Sequence, residues 1–209
     1  MNTLAEISRI GVVPVIKLDD PNDAAPLAEA LKAGGIPVAE VTFRTSAAEE
    51  SIRRIAKESE GVLVGAGTVL TEDQVKRAHA AGAKFIVSPG FDQGVVAKSK
   101  ELGLPVLPGC ATPTEIMAAL KLGLTAVKFF PASVYGGLQG IKALSAAFPG
   151  LMFVPTGGIG PKNLAEYLGF KPILACGGSW MVDVKNLPET RRLCAEAREI
   201  VKEVRGCQA

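Results

Sequence analysis

Apolar residues recur along this chain in two alternating rhythms. Short runs rich in Val, Ile, Leu and Phe lie at 12–17, 38–43, 63–66, 84–88, 106–108, 126–130, 152–156 and 173–176. Their length and β-branched content predict buried strands. Between them, at 22–33, 47–59, 72–81, 93–102, 113–122, 138–147, 161–168 and 187–204, apolar positions return with the spacing of an amphipathic helix. The end signals agree with this reading. Thr71, Asp92 and Thr112 stand where an N-cap is wanted, Glu115 follows Thr112 by three residues, and Pro113 fits the first turn. Gly34, Gly82, Gly103 and Gly123 follow the predicted helix ends, where a left-handed residue is favoured.

Strand and helix therefore alternate eight times, with units starting roughly 20–27 residues apart, a regular βα repeat. Eight such units in 209 residues meet the lower size limit of a (β/α)8 barrel. No Pro-, Ser- or charge-rich stretch divides the chain, which predicts a single barrel domain over 1–209 with an N-terminal helical extension. A doubly wound open sheet is the competitor. Its nucleotide-binding form places G-x-G-x-x-G after the first strand, where this chain reads Val15-Ile-Lys-Leu-Asp-Asp20. The barrel is the better fit.

Composition narrows the function. Hydrophobic residues make up 48% and charged residues 21%, enough apolar surface for a large core. A net charge of +2 is too balanced to suggest a nucleic-acid or anionic-membrane partner. Met1 to Ile10 lack the pattern of a secretory signal, and no apolar run is long enough to span a bilayer, so a cytoplasmic protein is expected. Cys110, Cys176, Cys194 and Cys207 form no CxxC pair, which favours reduced thiols over a disulfide framework or a zinc site. The only histidine, His79, sits in a polar helical stretch and reads as a surface residue. Chemistry built on imidazole is not expected.

The unusual residues gather at the carboxyl ends of the strands, the face where barrels carry their active sites. Lys128 is the sharpest. It interrupts the apolar run Ala126-Val-Lys-Phe-Phe130, and strand alternation turns it away from Val127 and Phe129 into the barrel mouth. Burial disfavours an ammonium there and leaves an amine fit to condense with a ketone. An internal ion pair is the plainer alternative. Glu40, Thr42 and Arg44 share one lumen-facing parity on the second strand. They offer a proton carrier and a planar fork for a carboxylate, or else a structural salt bridge. Thr68 and Pro89, ending the third and fourth strands, would line the same cavity. Thr156-Gly157-Gly158 and Gly177-Gly178-Ser179 follow strands seven and eight, where barrels frequently bind phosphate through main-chain N–H groups. Lys17, on the rim, could assist or simply be solvated, and Cys110 and Cys176 read as packing thiols.

Taken in order, Glu40-Val-Thr-Phe-Arg-Thr45, Gly65-Ala-Gly-Thr-Val69, Ser88-Pro-Gly90, Val127-Lys-Phe-Phe-Pro-Ala132, Pro155-Thr-Gly-Gly-Ile159 and Gly177-Gly-Ser-Trp180 resemble the 2-keto-3-deoxy-6-phosphogluconate aldolase / 4-hydroxy-2-oxoglutarate aldolase family. The resemblance runs from about Val12 to Trp180. It implies a bacterial-type, metal-independent class I aldolase, a carbon–carbon lyase of the Entner–Doudoroff pathway that works as a homotrimer without a cofactor. By the same similarity Lys128 matches the Schiff-base lysine and Glu40 the general acid/base. Arg44, Thr68 and Pro89 match positions around the pyruvate moiety, and Phe130, Thr156 and Ser179 further substrate positions. The expected substrate is a small phosphorylated 2-keto acid, cleaved to pyruvate and glyceraldehyde 3-phosphate, with 4-hydroxy-2-oxoglutarate as a second substrate. Ser133 departs from the acidic residue that some members carry after Pro-Ala, which touches fine specificity only. The alternatives are an aldolase for 2-keto-3-deoxy-6-phosphogalactonate, a related phosphosugar isomerase or decarboxylase, or a non-catalytic phosphosugar-binding barrel.

Overall fold

The computed structural model describes residues 2–206. Helix α1 (Thr3–Ile10) comes first; the Asn2 side chain accepts from the Leu4 N–H at its start, and Gly11 turns the chain out of it at φ 81°. Strands and helices then alternate. They are β1 (Val12–Ile16), α2 (Ala24–Ala33), β2 (Val38–Thr42), α3 (Ala48–Glu58), β3 (Leu63–Gly67), α4 (Glu72–Ala80), β4 (Ile86–Val87) and α5 (Gln93–Glu101). The second half continues with β5 (Val106–Leu107), α6 (Pro113–Lys121), β6 (Ala126–Phe129), α7 (Gly137–Ala147), β7 (Met152–Pro155), α8 (Pro161–Leu168), β8 (Cys176–Gly178) and α9 (Leu187–Arg205).

Every pairing is parallel. Six strands run in the order β5-β4-β3-β2-β1-β8, and β6 pairs with β7. Single bridges join these pieces: Gly109 with Lys128 links β5 to β6, Thr156 with Gly177 links β7 to β8, and Phe153 with Ile173 ties β7 to the segment before β8. Each strand thus neighbours the next in sequence and the last meets the first, which is the expected (β/α)8 barrel. Helices cover the outside with their apolar faces inward. On α3, for example, Ile52 and Ile55 are buried while Glu49 and Arg53 pair at the surface.

The caps form where the sequence places them. Thr71, Asp92 and Thr112 each accept an N–H in the first turn of their helix, and Thr112 and Glu115 close a full capping box. At the end of α2 the left-handed residue is Gly35 (φ 83°), one later than predicted, because the Gly34 N–H still bonds back to Ala30 and completes the turn. The eighth strand also starts later than its apolar run. The carbonyls of Ile173 and Leu174 accept hydrogen bonds from the Arg205 guanidinium, and Ile173 bridges to Phe153, so regular pairing with β1 waits until Cys176.

Candidate active site

Lys128 sits in β6 between Val127 and Phe129, both turned into the surrounding core, and only 5% of it is exposed. Its Nζ lies 3.5 Å from Oε1 of Glu40 on β2, which is 3% exposed. Space for that carboxylate comes from the neighbouring strand: a Cβ on Gly67 would stand 2.3 Å from Oε1. The Phe130 ring covers the amine from the mouth side, its centroid 5.2 Å from Nζ. The sequence pairs Glu40 with Arg44 as the possible salt bridge; the structure pairs it with Lys128 instead. A buried ammonium and carboxylate in contact offset each other's loss of water, and each leaves the other costly if it is removed.

Arg44 lies just past the end of β2. Its Nε donates to Thr42 Oγ1 at 3.0 Å, and the Thr42 hydroxyl donates to the Ile16 carbonyl at 2.8 Å, so the guanidinium is aimed by a relay from β1. Among the described residues it meets no carboxylate, which leaves its fork available to an incoming one. Thr68, at the end of β3, holds φ 54°, a left-handed conformation that a β-branched residue rarely takes. The strained residue faces the same cavity.

That cavity holds about 420 Å³. Arg44, Thr68, Pro89, Lys128 and Phe130 line it together with Thr156, Gly157, Gly158, Gly178 and Ser179. Of the predicted site residues only Glu40 and Gly177 do not line it. Glu40 stands behind Lys128, and Gly177 gives room to Thr156, whose Oγ1 would be 2.3 Å from a Cβ there. Val15, Thr42, Ile159 and Trp180 complete the wall. Val15 and Thr42 carry a signal in the lumen parity of their strands; Ile159 and Trp180 carry none beyond their place in the two loops. Lys17 does not join the cavity, since its ammonium is bound by Asp19 at 2.8 Å.

The glycine loops are built to attract an anion. Gly157 and Gly158 take φ 95° and 80° in the loop after β7, a left-handed conformation that favours glycine. Their carbonyls are engaged elsewhere: Gly157 accepts from Ser133 N–H and Gly158 from Asn163 Nδ2. The N–H groups of Gly158, Ser179 and Trp180 donate to nothing among the described residues, and the buried Thr156 Oγ1 has no partner. Such a set of free donors is what an oxyanion satisfies.

The buried thiols do not compete as nucleophiles. Burial pushes the thiols of Cys110, Cys176 and Cys194 up to about 12, so they stay protonated and inert. Cys207 lies outside the described residues, and His79 is exposed on α4. No group of three or more His, Cys, Asp or Glu among the described residues could hold a metal ion.

Comparison with known proteins meets this geometry. The family model for the KDPG and KHG aldolases, abbreviations of the two ketoacid substrates, matches residues 4–193. The 2-dehydro-3-deoxy-phosphogluconate aldolase of Treponema pallidum is 51% identical over 181 residues, 87% of this chain and 86% of that one. Among solved structures, the 2-keto-3-deoxy-6-phosphogluconate aldolase of Zymomonas mobilis ZM4 with 3-phosphoglycerate superposes with TM-score 0.91 at 40% identity, covering 96% of this chain and 97% of the other. The KDPG aldolase of Legionella pneumophila, with pyruvate captured as a covalent carbinolamine, does so with TM-score 0.86 at 38% identity, over 97% and 98% of the two chains.

Proposed function

The chain belongs to the KDPG and KHG aldolase family, and from that premise we propose a class I aldolase that cleaves 2-keto-3-deoxy-6-phosphogluconate into pyruvate and glyceraldehyde 3-phosphate, and also acts on 4-hydroxy-2-oxoglutarate. One observation carries the assignment of roles: a buried amine lines a cavity that also holds unpaired N–H groups, and a buried carboxylate stands 3.5 Å behind that amine.

The Lys128 amine adds to the C2 ketone, and the resulting carbinolamine loses water to give a protonated imine. That cation draws the electrons of the C3–C4 bond as it breaks. Glu40, directly or through a water, takes the C4 hydroxyl proton while the aldehyde leaves. The enamine left on Lys128 regains a proton at C3, and hydrolysis of the imine frees pyruvate and restores the amine. Arg44 holds the substrate carboxylate; Thr68, Pro89 and Phe130 enclose the pyruvate portion. Thr156, Gly157, Gly158, Gly178 and Ser179 hold the distal phosphate, with Gly177 making room for Thr156. Holding both ends of one substrate fixes the reacting bond over the lysine, the orientation effect on which the rate depends. No step calls for a cofactor.

Borohydride with pyruvate tests the central role. The imine is reduced to a stable secondary amine, and peptide mapping should place the label on Lys128. Lys128→Arg should take no label and be essentially inactive, because guanidinium stays protonated. A label on Lys17 or any other lysine overturns the assignment.

The same reading takes the protein as a cytoplasmic homotrimer. Exposed Leu70, Met117, Leu120, Val134 and Tyr135 supply apolar surface for contact between copies. No helix among the described residues is long and apolar enough to cross a membrane, and Cys110, Cys176 and Cys194 are free thiols, as a reducing compartment would keep them. Light scattering should give three times the mass of one chain; a monomer at micromolar concentration overturns this part alone.

A further inference from the structure

Trp180 follows the β8 loop and lines the cavity beside Gly178 and Ser179, yet no side-chain hydrogen bond accounts for it. Its Nε1 is buried without a partner among the described residues. A buried N–H left unpaired is a penalty that a purely apolar side chain would avoid. The position therefore uses the shape of the indole and not its donor. That shape meets Gly178: a Cβ built there would stand 1.9 Å from Cζ3 and 2.1 Å from Cε3 of Trp180. Gly178 is not among the residues with positive φ. Close approach of the ring, and not backbone conformation, explains why a glycine stands there. Gly178 is also fixed by the sheet, since it pairs with Pro14 of β1.

The main chain that presents the free N–H groups of Ser179 and Trp180 is thus held at two points, by β1 and by the benzo edge of an indole that belongs to the loop itself. We propose that Trp180 is a positioning residue for the anion end of the site: its ring, seated on Gly178, holds the Ser179 and Trp180 N–H groups in place along the cavity wall they share with Gly158, and so sets the preference for substrates with a distal phosphate. The inference rests on the aldolase reading and deepens it. Lys128 and Glu40 stand on β6 and β2, neither of which neighbours β8, so the effect belongs to binding of one part of the substrate and not to imine chemistry.

Steady-state kinetics on two substrates separate these two. Trp180→Leu should raise KM for 2-keto-3-deoxy-6-phosphogluconate about tenfold or more while kcat changes by about threefold or less, the pattern of lost uniform binding. On 4-hydroxy-2-oxoglutarate, which has no phosphate, kcat/KM should fall at least tenfold less than on the phosphorylated substrate. Gly178→Ala should impair the phosphorylated substrate in wild type, where the methyl strikes the ring, and add little once Trp180 is leucine, a strong coupling between the two positions. If Trp180→Leu does not fold, Trp180→Phe, which lacks the fused second ring, takes its place in the same cycle. Equal losses on both substrates, or independent penalties from the two substitutions, overturn the proposal. Borohydride labelling of wild type by pyruvate keeps the two levels apart. Its failure sinks the aldolase reading, whereas labelled enzyme with uncoupled variants sinks only the role of Trp180.

Discussion

At the scale of single residues, the main departure from expectation is the partner of Glu40. Strand parity places Glu40, Arg44 and Lys128 in one lumen but cannot say which two meet, because that depends on the relative heights of β2 and β6 across the barrel. Contact between Glu40 and Lys128 sharpens what Glu40→Gln should do. The amide keeps the shape and can still hydrogen-bond the amine, yet it cannot accept a proton. The variant should fold and bind pyruvate while exchange of the pyruvate methyl protons with deuterated water slows by roughly 10²–10⁴-fold, the usual scale of general acid/base catalysis. Exchange at the wild-type rate in a folded Glu40→Gln protein would reduce Glu40 to the counter-charge of Lys128 and require another base. Lys128 itself was legible because a charge inside an apolar strand has few uses. Trp180 was not, since an aromatic beside two glycines looks like packing until the ring and Gly178 are seen in contact.

At the scale of elements, the alternation of strand and helix, the capping residues and the site loops follow from the residues directly. Element ends do not, wherever a carbonyl finds a partner outside its own strand, as Ile173 and Leu174 do with Arg205. The two ends of the barrel also separate by charge. The face away from the site has a cavity of about 460 Å³ lined by Arg9, Lys171 and Arg205. Arg9 and Arg205 stand in the last turns of α1 and α9, and Lys171 follows α8, so all three answer the negative ends of helices. At the other face the loops after β7 and β8 expose N–H groups with no such answer, and on the proposed aldolase reading these loops take the phosphate. Removing the phosphate from the substrate should therefore lower kcat/KM by at least about tenfold for each charge-assisted bond lost, taking ~1.5–3 kcal/mol per bond. Equal efficiency on the dephosphorylated substrate would show that the glycines only turn the chain.

At the scale of the whole molecule, the three buried thiols link stability to alkaline pH. Burial raises each of them from an ordinary value near 9 to about 12 in the folded chain. A raised acid group contributes its full stabilisation below the unfolded value and loses it as pH climbs toward the folded one. The urea midpoint should fall as pH rises from about 9 toward 11, as thiolates form only in the unfolded chain. A variant with Cys110, Cys176 and Cys194 all changed to Ala should show a shallower fall, even if its midpoint near neutrality is lower through lost packing. An unchanged slope would place the effect on other groups.

The ring is closed between β5 and β6 at Lys128 itself. Its N–H donates to the Pro108 carbonyl, its carbonyl accepts from Cys110 N–H, and Gly109 is its bridge partner. The far seam, Thr156 with Gly177, lies almost fifty residues later in the chain. Followed in the order of synthesis, this places the reactive amine well ahead of the strand that completes its surroundings. Until β8 reaches β1, the cavity over Lys128 lacks the wall made by Gly178, Ser179 and Trp180. On the aldolase reading, the lysine gains a complete seat for its substrate only with the closing of the ring that finishes the barrel.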